Sequence, residues 1–296
     1  MDKYVIYFGG GTMRGVFSAG VAKAFEDNNF YQKISAVYGA SAGAMTGAYF
    51  LARQTELGAS IYWEDLGHNF VSYKGFWVGV WQRFQNKFIK SVRQENFYDA
   101  LNVDYLMQIV KNDKCLNFQK IISQDIPFSV KLFNLDSHLV EYIDARCSDI
   151  FKILQTSVSP FPYIHKVSII NGPKYIDAAI MDIVGINLLK KRHPNEKIIV
   201  VINGQTDRKL RYRLKNILEG KFMEWMFGDA ILYKIYVSAE DELIKDLEVI
   251  KSDPSIFLIA PDKNIPVKSR TTNPKQLIKL YHLGIKLGED FLKNLK

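Results

Sequence analysis

Two kinds of hydrophobic patterning alternate along this chain. Short continuous apolar runs read as strands buried on both faces, and between them apolar residues return every three or four positions, the spacing of a helix. The first run is YVIYF at residues 4–8, followed by a helical pattern over 16–28. Ala36, Val37 and Tyr38 form a second run, with a helical pattern over 42–54 behind it. Residues 55–112 read as helix and loop. The pattern then turns β-rich: IPFSVKLFNL and HLVEYID, within 126–144, are joined by the polar Asp136-Ser137 and predict a hairpin. A helix over 148–157 is stopped by Pro160 and Pro162. Runs at 167–170 and 174–176 flank the turn Asn171-Gly172-Pro173 and deliver Asp177 to the end of a strand. KIIVVIN at 197–203 is a further buried strand. After it come a basic helix over 208–219, with Arg208, Arg211 and Lys215 on one face, a helical stretch over 222–251, a last strand over 255–260 and a helix over 274–295. Strands alternating with helices predict an α/β protein with a mostly parallel sheet covered on both faces.

Two glycine-rich turns sit where the first two strands give way to helices: GGGTMRG at 9–15 and GASAG at 39–43. The second fits G-x-S-x-G. In that elbow a serine sits on a strained turn, and small neighbours let strand and helix approach closely enough to expose its Oγ. The first turn has three consecutive glycines, whose N–H groups can point inward at a helix N-terminus, where they suit an oxyanion or a phosphate. A phosphate cradle fits less well. The chain lacks G-x-x-x-x-G-K-[ST], and Arg14 stands where G-x-G-x-x-G needs its third glycine.

With GGGTMRGVFSAGV, YGASAGAM and the later YIDAAIMD, the sequence resembles the patatin-like phospholipases, the short bacterial members above all. NVDYL at 102–106, SVSPFPY at 157–163 and IAPDKNIPV at 259–267 carry the likeness nearly end to end. The resemblance implies a three-layer α/β/α sandwich with a mostly parallel central sheet. It also implies a serine–aspartate dyad that cleaves acyl esters through an acyl-enzyme. By position, Ser41 is implied as the nucleophile, Asp177 as the dyad carboxylate, and Gly9, Gly10, Gly11, Arg14 and Gly15 as the oxyanion loop, with Gly39 and Gly43 shaping the elbow. The implied substrate is a phospholipid or another acyl ester, with no cofactor, no metal and no nucleic-acid partner. One departure stands out. The family writes Asp-Gly-Gly or Asp-Gly-Ala where this chain has Asp177-Ala178-Ala179, and alanine implies a more ordinary backbone at that turn.

Composition narrows the picture further. The chain has 296 residues, 48% of them hydrophobic, and shows no Pro/Gly/Ser-rich linker. We expect a single domain over 1–296, with a catalytic core over about 1–205 and a helix-and-strand extension over about 206–296. Lys and Arg number 39 against 31 Asp and Glu, a net +8 that suits anionic partners such as lipid headgroups. No apolar run is long enough to span a bilayer, and the N-terminal run passes directly into the glycine loop, unlike a signal peptide. Cys115 and Cys147 have neither metal nor redox spacing, which suits reduced thiols. These features predict a cytoplasmic protein, with or without peripheral contact to a membrane. Residues 73–93 are the most aromatic part of the chain. Trp77, Trp81, Phe84 and Phe88 recur at helical spacing among Arg83, Lys87, Lys90 and Arg93, which suits a packed cap helix, a wall of an acyl pocket or a membrane-docking face.

The five histidines, His68, His138, His165, His193 and His282, show no pairing with carboxylates at triad or ligand spacing. An α/β-hydrolase with a Ser-Asp-His triad would recruit His193 or His282. Its elbow follows several strands, however, whereas here the glycine loop is on the first strand and Ser41 on the second. The remaining alternatives are a catalytically impaired lipid-binding module, suggested by Ala178, and a nucleotide-binding protein using the glycine loop.

Overall fold

The computed structural model describes residues 2–71, 99–161, 163–164, 166–178, 184–204, 213–261, 265 and 267–295. The expectations for 73–93, for His165 and Ala179, and for the side chains of His68, Arg208, Arg211 and Lys215 lie outside the described residues.

The chain opens with β1 (Tyr4–Phe8), a 3-10 turn (Thr12–Gly15), α1 (Val16–Asp27), β2 (Ile34–Gly39), α2 (Ala42–Leu51), α3 (Thr55–Glu64) and α4 (Leu66–Asn69). After the described chain resumes come α5 (Val103–Gln108), α6 (Phe118–Ile122), the hairpin β3 (Phe128–Asn134) and β4 (Leu139–Asp144), α7 (Ile150–Ser157), β5 (Ser168–Ile169) and β6 (Lys174–Asp177). The last part contains α8 (Ile186–Arg192), β7 (Lys197–Val201), α9 (Arg213–Phe227), α10 (Ala230–Ser252), β8 (Ile256–Ile259) and α11 (Pro274–Asn294).

One sheet joins all eight of these strands, in hydrogen-bonded order β5-β6-β3-β2-β1-β7-β8, with β4 also paired to β3. β1, β2, β3, β7 and β8 run parallel, while β4, β5 and β6 pair antiparallel. Successive side chains of β1 enter different clusters: Tyr4, Ile6 and Phe8 pack with Phe17, Val37 and Phe50, whereas Val5 and Tyr7 pack with Ile198, Val200, Leu243 and Leu247. That two-residue period, apolar on both faces, makes the three-layer sandwich. α1, α2 and α11 cover one face, and α8 and α10 the other.

Helices α1 and α11 cross glycine on glycine. A Cβ on Gly20 would come within 2.1 Å of the Tyr281 carbonyl oxygen, and one on Gly284 within 2.2 Å of that of Phe17. The stretch predicted as continuous helix over 222–251 is broken at Gly228, which takes φ +69°, and Asp229 caps α10 by accepting from the Ile231 N–H. α8 was not predicted, because two turns with Ile186 and Leu189 as their buried positions are too short to show a period.

Candidate active site

Ser41 occupies the junction between β2 and α2, with φ 51° and ψ −126°, a left-handed conformation that costs a non-glycine residue about 1–3 kcal/mol. The surrounding chain enforces it. The Ala40 N–H donates to the Phe8 carbonyl at 3.0 Å, Gly43 donates to Ala40, and Ala44 to Ser41. A Cβ on Gly43 would sit 2.0 Å from the Phe8 oxygen, and one on Gly39 2.5 Å from the Ala44 Cα, so larger residues would push helix and strand apart. The Ser41 N–H donates to Ser157 Oγ at 2.8 Å, which ties the elbow to the last residue of α7. Ser41 also stands at the N-terminus of α2, where the helix dipole favours negative charge.

Asp177 reaches this neighbourhood by a route that the chain pattern does not announce. Strand β4 pairs with residues 129–134 of β3 along one edge, so β2 and β6, which also pair with β3, must share the other. Along that shared edge Gly39 is opposite Val130 and Asp177 is opposite Leu132. β2 therefore runs toward β6 from below, and β6 descends antiparallel toward β2. Two residues of β3, about 6.5 Å, separate the levels of Gly39 and Asp177. The serine turn and the carboxylate strand end meet there, both buried, with Asp177 only 1% exposed. Asp177 does stand at a strand end, and the strand that carries it pairs antiparallel to β3. Ala178 keeps a negative φ, in line with the ordinary backbone that alanine implies.

The glycine loop lies between β1 and α1, with Thr12 at φ 50°. Its N–H groups are not equivalent. Gly9 donates to the Val201 carbonyl at 2.9 Å and Arg14 to that of Gly11 at 3.1 Å, so both are occupied. Gly10 and Gly11 N–H meet no acceptor among the described residues. At Gly15 a Cβ would meet Ala42 at 2.6 Å, so that glycine lets the loop rest on the elbow. The residue that sequence reasoning missed is Asn203, two positions past β7 and fully buried. Its Nδ2 donates to the Gly9 carbonyl at 2.6 Å and, at 3.4 Å, to that of Gly10, while its Oδ1 accepts from the Ser18 N–H at 3.0 Å. Asn203 thus holds the loop by its carbonyls and caps a helix that has no side-chain cap of its own.

A cavity with about 660 Å3 of empty space, part of it open to solvent, is lined by Ser41 and Thr12 and extends between α2 and α3 past Met45 to Tyr49 and Thr55. No charged side chain lines it among the described residues. Burial pushes the Tyr49 and Tyr62 hydroxyls well above their usual range, so both stay neutral. The three histidines whose side chains are described have partners of their own: His193 shares hydrogen bonds with Tyr38 at 2.8 Å and Glu196 at 3.3 Å, His138 with Asp229, and His282 packs against Tyr281.

A strained serine on a strand-to-helix turn, beside a cavity without charged lining residues in a three-layer α/β/α sandwich, has the geometry of a nucleophile elbow. The chain belongs to the patatin-like phospholipase family, whose sequence model matches residues 6–190. Residues 235–296 match a second model, a domain of unknown function, DUF6363. A comparison with curated proteins finds no match. Among solved structures the chain is similar to VipD from Legionella pneumophila, at 15% identity and a TM-score of 0.49, over 99% of this chain and 67% of that one. Family membership supports lipid acyl hydrolysis as the activity.

Proposed function

We propose that the protein hydrolyses acyl esters of lipids with Ser41 and Asp177 as its catalytic pair and the Gly10 and Gly11 N–H groups as its oxyanion donors. The observation that carries this reading is the shared edge of β3, along which the serine turn and the aspartate strand end meet. Ser41 Oγ attacks the ester carbonyl and its proton passes to the Asp177 carboxylate. Negative charge on the former carbonyl oxygen falls to the two glycine N–H groups. As the tetrahedral species collapses, the C–O bond to the alcohol breaks and the alcohol leaves with the proton from Asp177. Asp177 then takes a proton from water, the hydroxide attacks the acyl-Ser41 ester, and the fatty acid departs as the proton returns to Oγ. Of the five loop residues, Gly9, Arg14 and Gly15 shape the turn while Gly10 and Gly11 present donors. The net charge of +8 favours an anionic lipid surface, and peripheral membrane contact is part of this proposal.

The test combines labelling by a fluorophosphonate with hydrolysis of a short p-nitrophenyl ester. Wild type should label at Ser41 and turn over. Ser41→Ala and Asp177→Asn should each lose turnover while keeping the far-ultraviolet spectrum and melting temperature of a folded protein, and His193→Ala should retain most activity. A histidine variant as inactive as Ser41→Ala restores the triad. Bound lipid without labelling or turnover points to a binding module.

A further inference from the structure

We infer that the cavity beneath Ser41 is an acyl channel with a fixed floor at Tyr49, which limits the acyl chain it takes up to about ten carbons; this rests on the hydrolase reading above. Direction comes first. Ser41, Met45 and Tyr49 all line the cavity and are spaced four residues apart, so they lie along one face of α2 and its N-terminal junction. Eight residues of helix advance about 12 Å. With single C–C bonds of about 1.5 Å, a zigzag alkyl chain advances somewhat less than that per carbon, so the distance holds on the order of ten carbons.

Wall chemistry fixes what enters. Thr46 Oγ1 donates to the Ala42 carbonyl at 3.2 Å, Thr55 Oγ1 to Glu26 at 2.8 Å, and the Tyr49 hydroxyl to the Lys114 carbonyl at 2.6 Å. Each of these hydroxyls already has a protein acceptor, so the lower wall offers a ligand methyl and methylene groups rather than a polar partner. A headgroup would lose its hydration there without replacement, whereas a hydrocarbon chain gains by leaving water.

The floor is braced from two sides. Its hydroxyl is tied to Lys114, and its ring lies so close to α3 that a Cβ on Gly58 would come within 2.3 Å of it. Glycine at that position leaves room for the Tyr49 ring, and the tyrosine in turn forms the channel floor. A side chain held at both ends does not swing aside for a longer chain, which is why the length limit should be sharp.

The experiment measures kcat/KM for p-nitrophenyl esters of two to sixteen carbons. Wild type should gain up to about fourfold per added methylene, the fold-change given by about 0.8 kcal/mol per buried CH2, until about ten carbons, and should then level or fall. Tyr49→Ala, which opens the floor, should move the maximum to longer chains; Met45→Phe, which narrows the passage, should move it to shorter ones. Both are read as the position of the maximum, with melting temperature recorded for each, and Met45→Phe decides if Tyr49→Ala does not fold. A second arm titrates saturated fatty acids of six to sixteen carbons into Ser41→Ala by calorimetry below their micelle concentrations, and should show affinity reaching its plateau at the same length. A wild-type maximum at fourteen or more carbons, or a maximum unmoved in both folded variants, overturns the inference. A wild type that hydrolyses no ester overturns the catalytic reading alone, and the fatty-acid plateau still decides the length limit.

Discussion

Ser41 shows how much of the candidate active site a few adjacent residues can encode. Its strain, the absence of side chains at Gly39 and Gly43, and its place ahead of a helix are all properties of five consecutive positions, so the motif was readable without a fold. Asn203 is the opposite case. It lies 194 positions from Gly9 and 185 from Ser18, and it holds both through one amide. An asparagine after a β-branched run has many uses, and the one local signal was its position at a strand end, where α/β sheets place active-site groups. Asn203→Asp keeps the acceptor for Ser18 but sets a carboxylate oxygen against the Gly9 carbonyl. We expect kcat to fall by about 10- to 100-fold, short of the 10²- to 10³-fold that losing a direct oxyanion donor costs, with KM nearly unchanged. Steady-state kinetics check this: a KM effect with constant kcat would leave Asn203 as a helix cap only.

At the scale of elements, the junction of α10 with β8 carries an acid-sensitive contact. Lys190 on α8 bonds to Asp253, and Ser255 donates to the same carboxylate through its N–H at 2.9 Å and its Oγ at 2.6 Å. The Lys190 bond first, and then the Ser255 bonds, hold the Asp253 carboxyl down at about 2 from its ordinary 3.8. Because the folded value lies below the unfolded one, the stabilisation is fully present above about pH 4 and is lost as pH falls from there toward 2. Asp253→Asn should therefore melt at a lower temperature than wild type at pH 6, and the gap should narrow on acidification toward pH 2. Melting curves across that range test it, and a constant gap would separate the contact from the protonation of Asp253. Most strands and long helices were legible because their periods extend over enough residues to be seen. The break at Gly228 was not, since the apolar spacing continues across it and only the backbone turn interrupts it.

On the scale of the molecule, the part matched by the DUF6363 model is woven into the sheet. Residues 235–296 contain most of α10, all of β8, which pairs with β7 along four positions, and α11, which lies on α1 at the Gly20–Gly284 crossing. We therefore read the chain as one folding unit. A protein ending at residue 234 should lack a cooperative melting transition, and the full chain should show a single one by calorimetry. A soluble truncated protein with the wild-type near-ultraviolet spectrum would make the C-terminal part an independent appendage.

The sequence by itself determined the order of the strands, the strained serine turn, the glycine loop and the strand that ends in Asp177, because each depends on spacing among near neighbours. Only the tertiary structure decided that β6 comes down the same edge of β3 that β2 goes up, that Asn203 grips the glycine loop, and that Tyr49 lines the cavity while held between Gly58 and Lys114. Those outcomes depend on which distant segments share an edge or a gap, and apolar periodicity specifies which face of an element is buried without specifying what buries it.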